Sequence, residues 1–389
     1  MPSPRPLLIY LIAGEQSGDA LGARLMQAIL RRRPDATFTG IGGSAMAGAG
    51  CASLFPMSDL SLMGFLEVLP KLRQLKRRIR ETVDDIAAKR PDVVVTIDSP
   101  GFCFRVLRAI APLRIPRVHY VAPQIWAWRE GRAKHYPGLW DRLMCLLPFE
   151  PAFFARHHLP ATFVGHPVLE SGCDTGDAER FRARHDLPPD ARVLIVMPGS
   201  RRGEVTRHLP VLQATLARLR EPIVPVVPLV GPVADVVKEA TATWTPRPIL
   251  VSETTGKHDA FAAATAALTK SGTSTLELAL AGVPMVVTYG ANPITIWLVK
   301  RLQLVPYASI LNILARREII PELLQEDATP EKLAAALETI MTPEGAAMQR
   351  AACAEQLALL RPPNGLPSDA AAAAVLDLIE QPAGDHPGA

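Results

Sequence analysis

Leu268-Thr-Lys-Ser-Gly-Thr-Ser-Thr-Leu-Glu-Leu-Ala-Leu-Ala-Gly-Val-Pro-Met-Val-Val287 reads as the end of a buried strand, a turn of small residues, a short helix and the start of another strand. The strand ends at Thr269, Ser271 and Gly272 make the turn, and the helix covers residues 274–281. Gly282 supplies a left-handed C-terminal residue, Pro284 stops the helix, and Met285-Val-Val287 opens the next strand. A turn of this kind aims the backbone N–H groups of Gly272, Thr273 and Ser274, two kinds of hydroxyl and a positive dipole end at one point, which suits an anion such as phosphate. Glu277, one turn into the helix, is costly beside a phosphate but well placed to accept hydrogen bonds from a ribose diol. An ordinary strand, turn and helix with a solvated glutamate accounts for the same residues.

Working outward, a chain of 389 residues is long for one core, so two domains are expected. A hydrophobic share of 48% with 21% charged residues describes a globular protein, and a net charge of +4 gives no argument for nucleic acid. Five scattered cysteines, with no Cys-x-x-Cys and no histidine at metal-ligand spacing, indicate neither a disulfide framework nor a zinc site, and fit a reducing cytoplasm. The uncharged run over residues 278–299 reaches membrane-spanning length, but Gly282, Pro284, Gly290, Asn292 and Pro293 break it into helix, strand and loop.

Upstream, short apolar runs at residues 7–13, 36–41, 93–97, 117–121, 142–147 and 162–164 alternate with amphipathic helices at 20–32, 66–89, 104–111 and 151–157. That alternation predicts a parallel sheet with helices on both faces, whose ligands gather at the C-terminal strand ends. Gly14-Glu-Gln-Ser-Gly-Asp19 follows the first strand as a loop opening the first helix, suited to an anion or hydroxyls, or simply to a tight turn. Asp98 stands where the strand 93–97 emerges, with Pro100-Gly101 behind it. It is the candidate general base, against a reading in which it only caps the next helix. His119-Tyr-Val-Ala-Pro-Gln-Ile-Trp-Ala-Trp-Arg129 places Gln124 and Trp126 in an aromatic loop of the kind that packs on sugar rings, or that makes a rigid corner. From Phe55 to Leu69 the chain is rich in large apolar residues, Phe65, Leu66 and Leu69 among them, and a basic helix with Lys76 and Arg77 follows. This combination suits an anionic bilayer surface, more apolar residues being present than one helix stripe requires; a core-facing helix with a solvated basic face is the alternative.

After Gly165-His-Pro167 and an acidic, small-residue stretch, a second alternating series begins at Val193-Leu-Ile-Val-Met197. It runs into Pro198-Gly-Ser-Arg-Arg-Gly-Glu204, where Ser200, Arg201 and Arg202 form a loop fit to hold negative charge. Asn312 is the one polar residue in the apolar run 310–315 that follows Ser309, so it caps a turn or reaches a ligand. Alanine-rich helices close the chain, and residues 381–389 have the composition of a disordered tail.

Gly14-Glu-Gln-Ser-Gly-Asp19, Ile41-Gly-Gly43, Ile97-Asp-Ser-Pro-Gly-Phe102, Pro123-Gln-Ile-Trp-Ala-Trp128, Leu147-Pro-Phe-Glu150, Gly165-His-Pro167, Pro198-Gly-Ser-Arg201, Ser271-Gly-Thr-Ser-Thr-Leu-Glu277 and Asn312 together resemble the lipid A disaccharide synthase family, over residues 7–345. The resemblance implies an α/β GT-B glycosyltransferase of family 19, with two facing Rossmann-like, doubly wound domains and C-terminal helices. Residues 1–168 would bind acceptor and membrane, and 169–345 the UDP-sugar. Residues 346–380 would be helices returning to the first domain or to a partner chain of a possible homodimer. It further implies a cytoplasmic enzyme peripherally bound to the inner membrane. That enzyme transfers 2,3-diacylglucosamine from UDP-2,3-diacylglucosamine to 2,3-diacylglucosamine 1-phosphate (lipid X), with inversion, giving the β(1→6) disaccharide 1-phosphate and UDP. Asp98 falls on the family's catalytic carboxylate, Arg201, Glu277 and Asn312 on positions tied to activity or the nucleotide, and Glu15, Ser17 and Asp19 on its first loop. Two departures stand out: Gln16 where the family has alanine, and Tyr289-Gly-Ala-Asn-Pro293, which lacks a basic residue after the tyrosine.

No two aspartates lie two residues apart, so no Asp-x-Asp pair is available to hold a metal on the diphosphate, and no metal or other cofactor is expected. The rival readings are another GT-B enzyme using UDP-GlcNAc, either an epimerase or a lipid II-type transferase, and a non-catalytic sugar-nucleotide-binding scaffold.

Overall fold

A computed structural model describes residues 6–60, 68–290 and 305–380; the side chains of residues 68–72 and of Pro232 fall outside that description. The chain divides into two compact units, one of residues 1–167 and 360–389, the other of residues 168–359.

The first unit is built on a seven-stranded parallel sheet. Its strands, in chain order, are β1 (Leu8–Ala13), β2 (Thr37–Ile41), β3 (Ala52–Ser53), β4 (Val93–Ile97), β5 (Arg117–Tyr120), β6 (Arg142–Cys145) and β7 (Ala161–Phe163), in spatial order β3-β2-β1-β4-β5-β6-β7. Its helices are α1 (Gln16–Arg32), α2 (Ser44–Gly48), α3 (Val68–Lys89), α4 (Pro100–Ala109) and α5 (Glu150–Ala155). The unbroken apolar run of β1 is explained by burial on both sides. Ile9, Leu11 and Ala13 pack with Leu25 and Ile29 of α1, while Tyr10 and Ile12 pack with Leu75 and Ile86 of α3 and Val106 of α4.

The second unit repeats the plan. Strands β8 (Val193–Met197), β9 (Val224–Pro228), β10 (Ile249–Val251), β11 (Ala264–Lys270), β12 (Met285–Tyr289) and β13 (Glu322–Leu324) form a parallel sheet in the order β10-β9-β8-β11-β12-β13. The helices are α6 (Ala178–Arg184), α7 (Arg202–Leu216), α8 (Ala234–Thr241), α9 (Thr254–Ala263), α10 (Ser274–Leu280), α11 (Ile310–Ala315), α12 (Pro330–Ile340) and α13 (Pro343–Ala358). The opening stretch is thus β11, its turn, α10 and the first residues of β12, with the strand one residue longer than its apolar run.

Helix α13 stays with the second unit because the buried Gln349 side chain accepts from Met285 N (2.6 Å) and donates to Met285 O (3.0 Å), completing the backbone of β12. Only the last helix, α14 (Pro367–Glu380), joins the first unit, where Ala371, Ala372 and Val375 enter the same apolar cluster as α1. Arg31 and Asp369 pair at 2.7 Å on the rim of that contact. The points where the chain leaves and re-enters the first unit are tied together, since His166 N–H donates to Leu360 O at 3.0 Å. A Cβ on Gly165, whose φ is +83°, would stand 2.6 Å from Pro362 Cδ, so only glycine fits there.

Beyond the placement of α13 with the second unit, two expectations change. Residues 16–19 are the first turn of α1 rather than a loop before it. Phe55 and Leu60 are core residues of the first unit, with Arg78 stacked over the Phe55 ring at 4.4 Å, so the excess of apolar residues before the basic helix is partly core. The tail 381–389 lies outside the described residues. No helix among the described residues is long and apolar enough to cross a membrane.

Candidate active-site residues

In each unit the strand order reverses direction beside the first strand, between β1 and β4 and between β8 and β11. In open parallel sheets that reversal leaves a crevice at the C-terminal strand ends, where ligands bind. The Asp98 turn and the start of α1 stand at the first of those places, and the Arg201 loop and the turn after β11 at the second; the aromatic loop follows β5, Asn312 lies beside β13, and Lys76 and Arg77 lie on α3.

In the first unit, β4 delivers Asp98 and Ser99 to the strand end, both in left-handed conformation, with φ of 52° and 45°. Aspartate tolerates this region better than most residues, but serine does not, and two such residues in succession store on the order of 1–3 kcal/mol, a cost that concentrates at functional sites. The turn is anchored by Asp98 N donating to Tyr120 O at 2.9 Å. Asp98 is not the cap of α4: Ser99 holds that position, without a side-chain cap bond, and Pro100 opens the helix. Burial pushes the Asp98 carboxyl above the usual carboxylate value, against a weaker opposing pull from the Ser99 N–H. Among the described residues no basic side chain forms an ion pair with it. The β1 end lies against this turn, because a Cβ on Gly14 would come within 2.2 Å of Ser99 Oγ.

Helix α1 begins beside it, and the candidates of that turn separate. Glu15, at the N-cap, and Ser17 are exposed. Asp19 is buried: Oδ1 accepts from Gly43 N (2.7 Å) and Met46 N (3.0 Å), and Oδ2 from Ala45 N (2.9 Å). Helix α2 has no side-chain cap of its own, so Asp19 caps it from outside and presents no free carboxylate to a substrate.

The aromatic loop separates likewise. Gln124 is exposed, whereas Trp126 is buried and its Nε1 donates to Glu150 Oε1 at 3.0 Å. Glu150 also accepts from Leu146 N and Leu147 N, yet burial outweighs all three donors and raises its carboxyl pKa to about 7. Trp126 is therefore the rigid corner, and Trp128, 42% exposed with the Arg129 guanidinium 4.0 Å above its ring, is the accessible indole. Deeper in the same layer, His119 is held neutral, its pKa lowered by burial to about 3, with Nδ1 2.8 Å from Thr96 Oγ1. It packs among Phe104 and Trp140 as a core residue.

In the second unit, β8 ends at Pro198-Gly-Ser-Arg201 and α7 starts at Arg202. Ser200, Arg201 and Arg202 are all exposed. Arg201 Nη1 lies 3.2 Å from Glu204 Oε1, and Lys270 Nζ, from the end of β11, lies 3.2 Å from Glu204 Oε2. Burial raises the Glu204 carboxyl pKa, but Lys270 and Arg201 together hold it below the ordinary value. His208 fixes the loop from behind: Nδ1 meets Pro198 O at 2.9 Å and Nε2 accepts from Gly290 N at 3.0 Å, which requires the Nδ1–H tautomer.

Beyond β11, Gly272 and Thr273 are exposed, and Ser274 Oγ lies 3.1 Å from Thr269 Oγ1. Both Glu277 oxygens accept from Lys257 Nζ, at 3.2 and 3.1 Å, so the carboxylate is charge-balanced and only partly exposed. Asn312 is fully buried and engaged: Nδ2 donates to Ile320 O and Glu322 Oε1, and Oδ1 accepts from Ile319 N and Ile320 N. It fastens α11 to β13. Glu322 in turn accepts from Ala308 N and Ser309 N, and Ala308 O accepts from Ser271 Oγ. Asn312 thus shapes the turn of the opening stretch at a distance, through a chain of bonds.

Of the basic helix, Lys76 and Arg77 are exposed, Arg77 pairing with Glu81 at 2.8 Å; Phe65, Leu66 and the side chain of Leu69 lie outside the described residues. Sequence reasoning missed Glu204, His208, Lys257 and Lys270. Only the spacing of Glu204 and His208, three and seven residues past Arg201 on one helix face, hinted at them.

The family model described as lipid-A-disaccharide synthetase matches residues 9–374. A lipid-A-disaccharide synthase of Granulibacter bethesdensis is 54% identical over 389 residues, covering 96% of this chain and 99% of that protein. Another, from Gluconobacter oxydans, is 53% identical over 379 residues, covering 96% and 91%. Among solved structures, the calicheamicin glycosyltransferase CalG4 matches 98% of this chain and 100% of its own with a TM-score of 0.62 at 17% identity, a likeness of fold alone.

Proposed function

The chain belongs to the lipid-A-disaccharide synthase family, a glycosyltransferase of lipid A biosynthesis with a GT-B-like fold, and from that premise we propose the reaction it performs and the residues that perform it. A 2,3-diacylglucosaminyl group passes from its UDP donor to the 6-hydroxyl of 2,3-diacylglucosamine 1-phosphate. The hydroxyl oxygen attacks the anomeric carbon as the bond to UDP breaks on the opposite face, and Asp98 receives the hydroxyl proton. UDP leaves carrying the added negative charge.

The observation that carries the assignment of the base is the Asp98 turn: a carboxylate on a rigid strand end, desolvated, outside any ion pair among the described residues, and held in strained backbone. Glu15, Ser17 and Gln124 are the exposed polar groups of the same unit proposed to meet the acceptor. In the second unit, Ser200, Arg201, Arg202 and the turn Gly272–Ser274 are proposed to take the diphosphate, and Glu277 the ribose. Asp19, Trp126 and Asn312 support these surfaces from within.

Both substrates carry acyl chains, so the enzyme is proposed to work at an anionic bilayer surface through the exposed basic face of α3, which bears Arg73, Lys76, Arg77 and Arg80. The test is UDP release with the two lipid substrates, measured against UDP-GlcNAc as donor. Turnover only with the diacylated donor supports the reading, and equal turnover with UDP-GlcNAc overturns it. The same assay with EDTA is expected to show undiminished turnover; loss restored by magnesium or manganese would bring in a metal.

A further inference from the structure

Lys270 is the last residue of β11, and its ammonium group lies beside the turn proposed above to receive the diphosphate. A Cβ built on Gly272 would sit 3.6 Å from Lys270 Cε and 4.0 Å from Nζ, so the side chain folds back over the turn. On its other side Nζ is 5.9 Å from the centre of the Tyr289 ring, at the end of β12. The chain after that tyrosine, Gly290-Ala-Asn-Pro293, carries no positive charge. Lys270 therefore brings a cation to the β12 end from the neighbouring strand.

That cation is held by Glu204, which also holds Arg201. A partly buried carboxylate between two cations, beside a proposed anion site, keeps both oriented toward it. An incoming diphosphate offers the same two cations more negative charge than one carboxylate does.

We propose that Lys270 is a ligand of the leaving diphosphate and that Glu204 is its positioning residue, exchanged for phosphate oxygens when the nucleotide binds. The inference rests on the nucleotide being held by the second unit. It adds a cation that stabilises UDP as the glycosidic bond breaks, and a carboxylate that holds this cation until then.

The test is equilibrium binding of UDP and of uridine to the full-length enzyme and three variants, each checked by thermal melting. With Lys270→Met, UDP binding is expected to weaken ~10–100-fold while uridine binding changes less than about threefold. Lys270→Arg keeps the charge and should retain most of the UDP affinity. Glu204→Gln removes a negative charge near the phosphates but still offers Lys270 an acceptor oxygen, so UDP should bind as well as to wild type or more tightly.

A lysine that merely fastens β11 to α7 predicts otherwise, because Lys270→Met and Glu204→Gln break the same ion pair and would move binding in the same direction. The proposal is overturned if Lys270→Met lowers UDP and uridine affinity alike, or leaves both unchanged, or if Glu204→Gln reproduces its loss. If the wild-type enzyme binds UDP no better than uridine, the underlying reading of the second unit fails, and this inference with it.

Discussion

Replacing Asp98 by Asn separates catalysis from architecture. Asparagine has nearly the same size and, like aspartate, tolerates the left-handed conformation that residue 98 adopts at φ 52°. The main-chain bond from residue 98 N to Tyr120 O, 2.9 Å long, does not involve the side chain. What the substitution removes is a proton acceptor, and loss of a positioned general base costs about 10²–10⁴-fold, equivalent to roughly 2.7–5.5 kcal/mol in the barrier. Stability should move the other way. Burial raises the Asp98 pKa above its ordinary 3.8, so the folded chain holds this proton more tightly than the unfolded one. The stabilisation is fully present below 3.8 and is lost as pH rises through the folded value, leaving at neutral pH a desolvated charge that an amide does not carry. Asp98→Asn should therefore lower kcat by two to four orders of magnitude while its melting temperature at pH 7 holds or rises. The acidic limb of the wild-type kcat/KM profile should lie above the ordinary carboxylate range and vanish in the variant. The assignment is refuted if the variant keeps more than about a tenth of the activity, or if it melts more than about 5 °C lower, which would make the carboxylate structural.

Other consequences are open to measurement. Asp19→Ala removes three charge-assisted bonds at the start of α2 and should destabilise the first unit by about 2–4 kcal/mol in urea titration; a change below about 0.5 kcal/mol would contradict the capping role. Glu150, with its pKa raised to about 7, contributes stability that is present below 4.5 and lost as pH climbs through about 7. His119 and His166, kept neutral by burial, act in the opposite direction below pH 6.5, so the test is the difference between wild type and Glu150→Gln: the variant should gain melting temperature relative to wild type on going from pH 5 to pH 8, and a difference that does not change with pH would refute the assignment. Reversing two charges with Lys76→Glu and Arg77→Glu should weaken sedimentation with anionic vesicles by at least ~10-fold at low salt and leave neutral vesicles unaffected, whereas equal binding to both would remove α3 from the membrane reading.

The central strands were legible because β1, β4 and β8 are buried on two sides and so read as unbroken apolar runs, whereas the exposed two-residue β3 gave no such signal. Strand β13 was not legible either, since Glu322–Leu324 is a short edge strand paired only with β12, and its Glu322 side chain is spent on Ala308 N and Ser309 N. Among candidate residues, the strand-end position of Asp98 could be read from the sequence because it depends on its immediate neighbours. The buried roles of Asp19, Trp126 and Asn312 could not, because each depends on a partner 7 to 27 residues away. A polar residue at a strand end or in an apolar run looks the same in sequence whether it meets a ligand or an unpaired stretch of main chain. Lys270 shows the reverse case: its neighbours Ser271 and Gly272 drew attention, while its own importance lies in Glu204, 66 residues earlier.

The return of α14 to α1 makes the first unit discontinuous, with its opening 167 residues waiting for a helix made from the last stretch of the chain. During synthesis the contiguous segment 168–359 can close on itself while the half that emerged earlier still exposes the apolar face of α1. Birth order and folding order are then inverted, and a ribosome that stops short of Pro367 releases a chain whose oldest part is its least finished. A fusion or truncation at the carboxyl end would be felt first at the amino end.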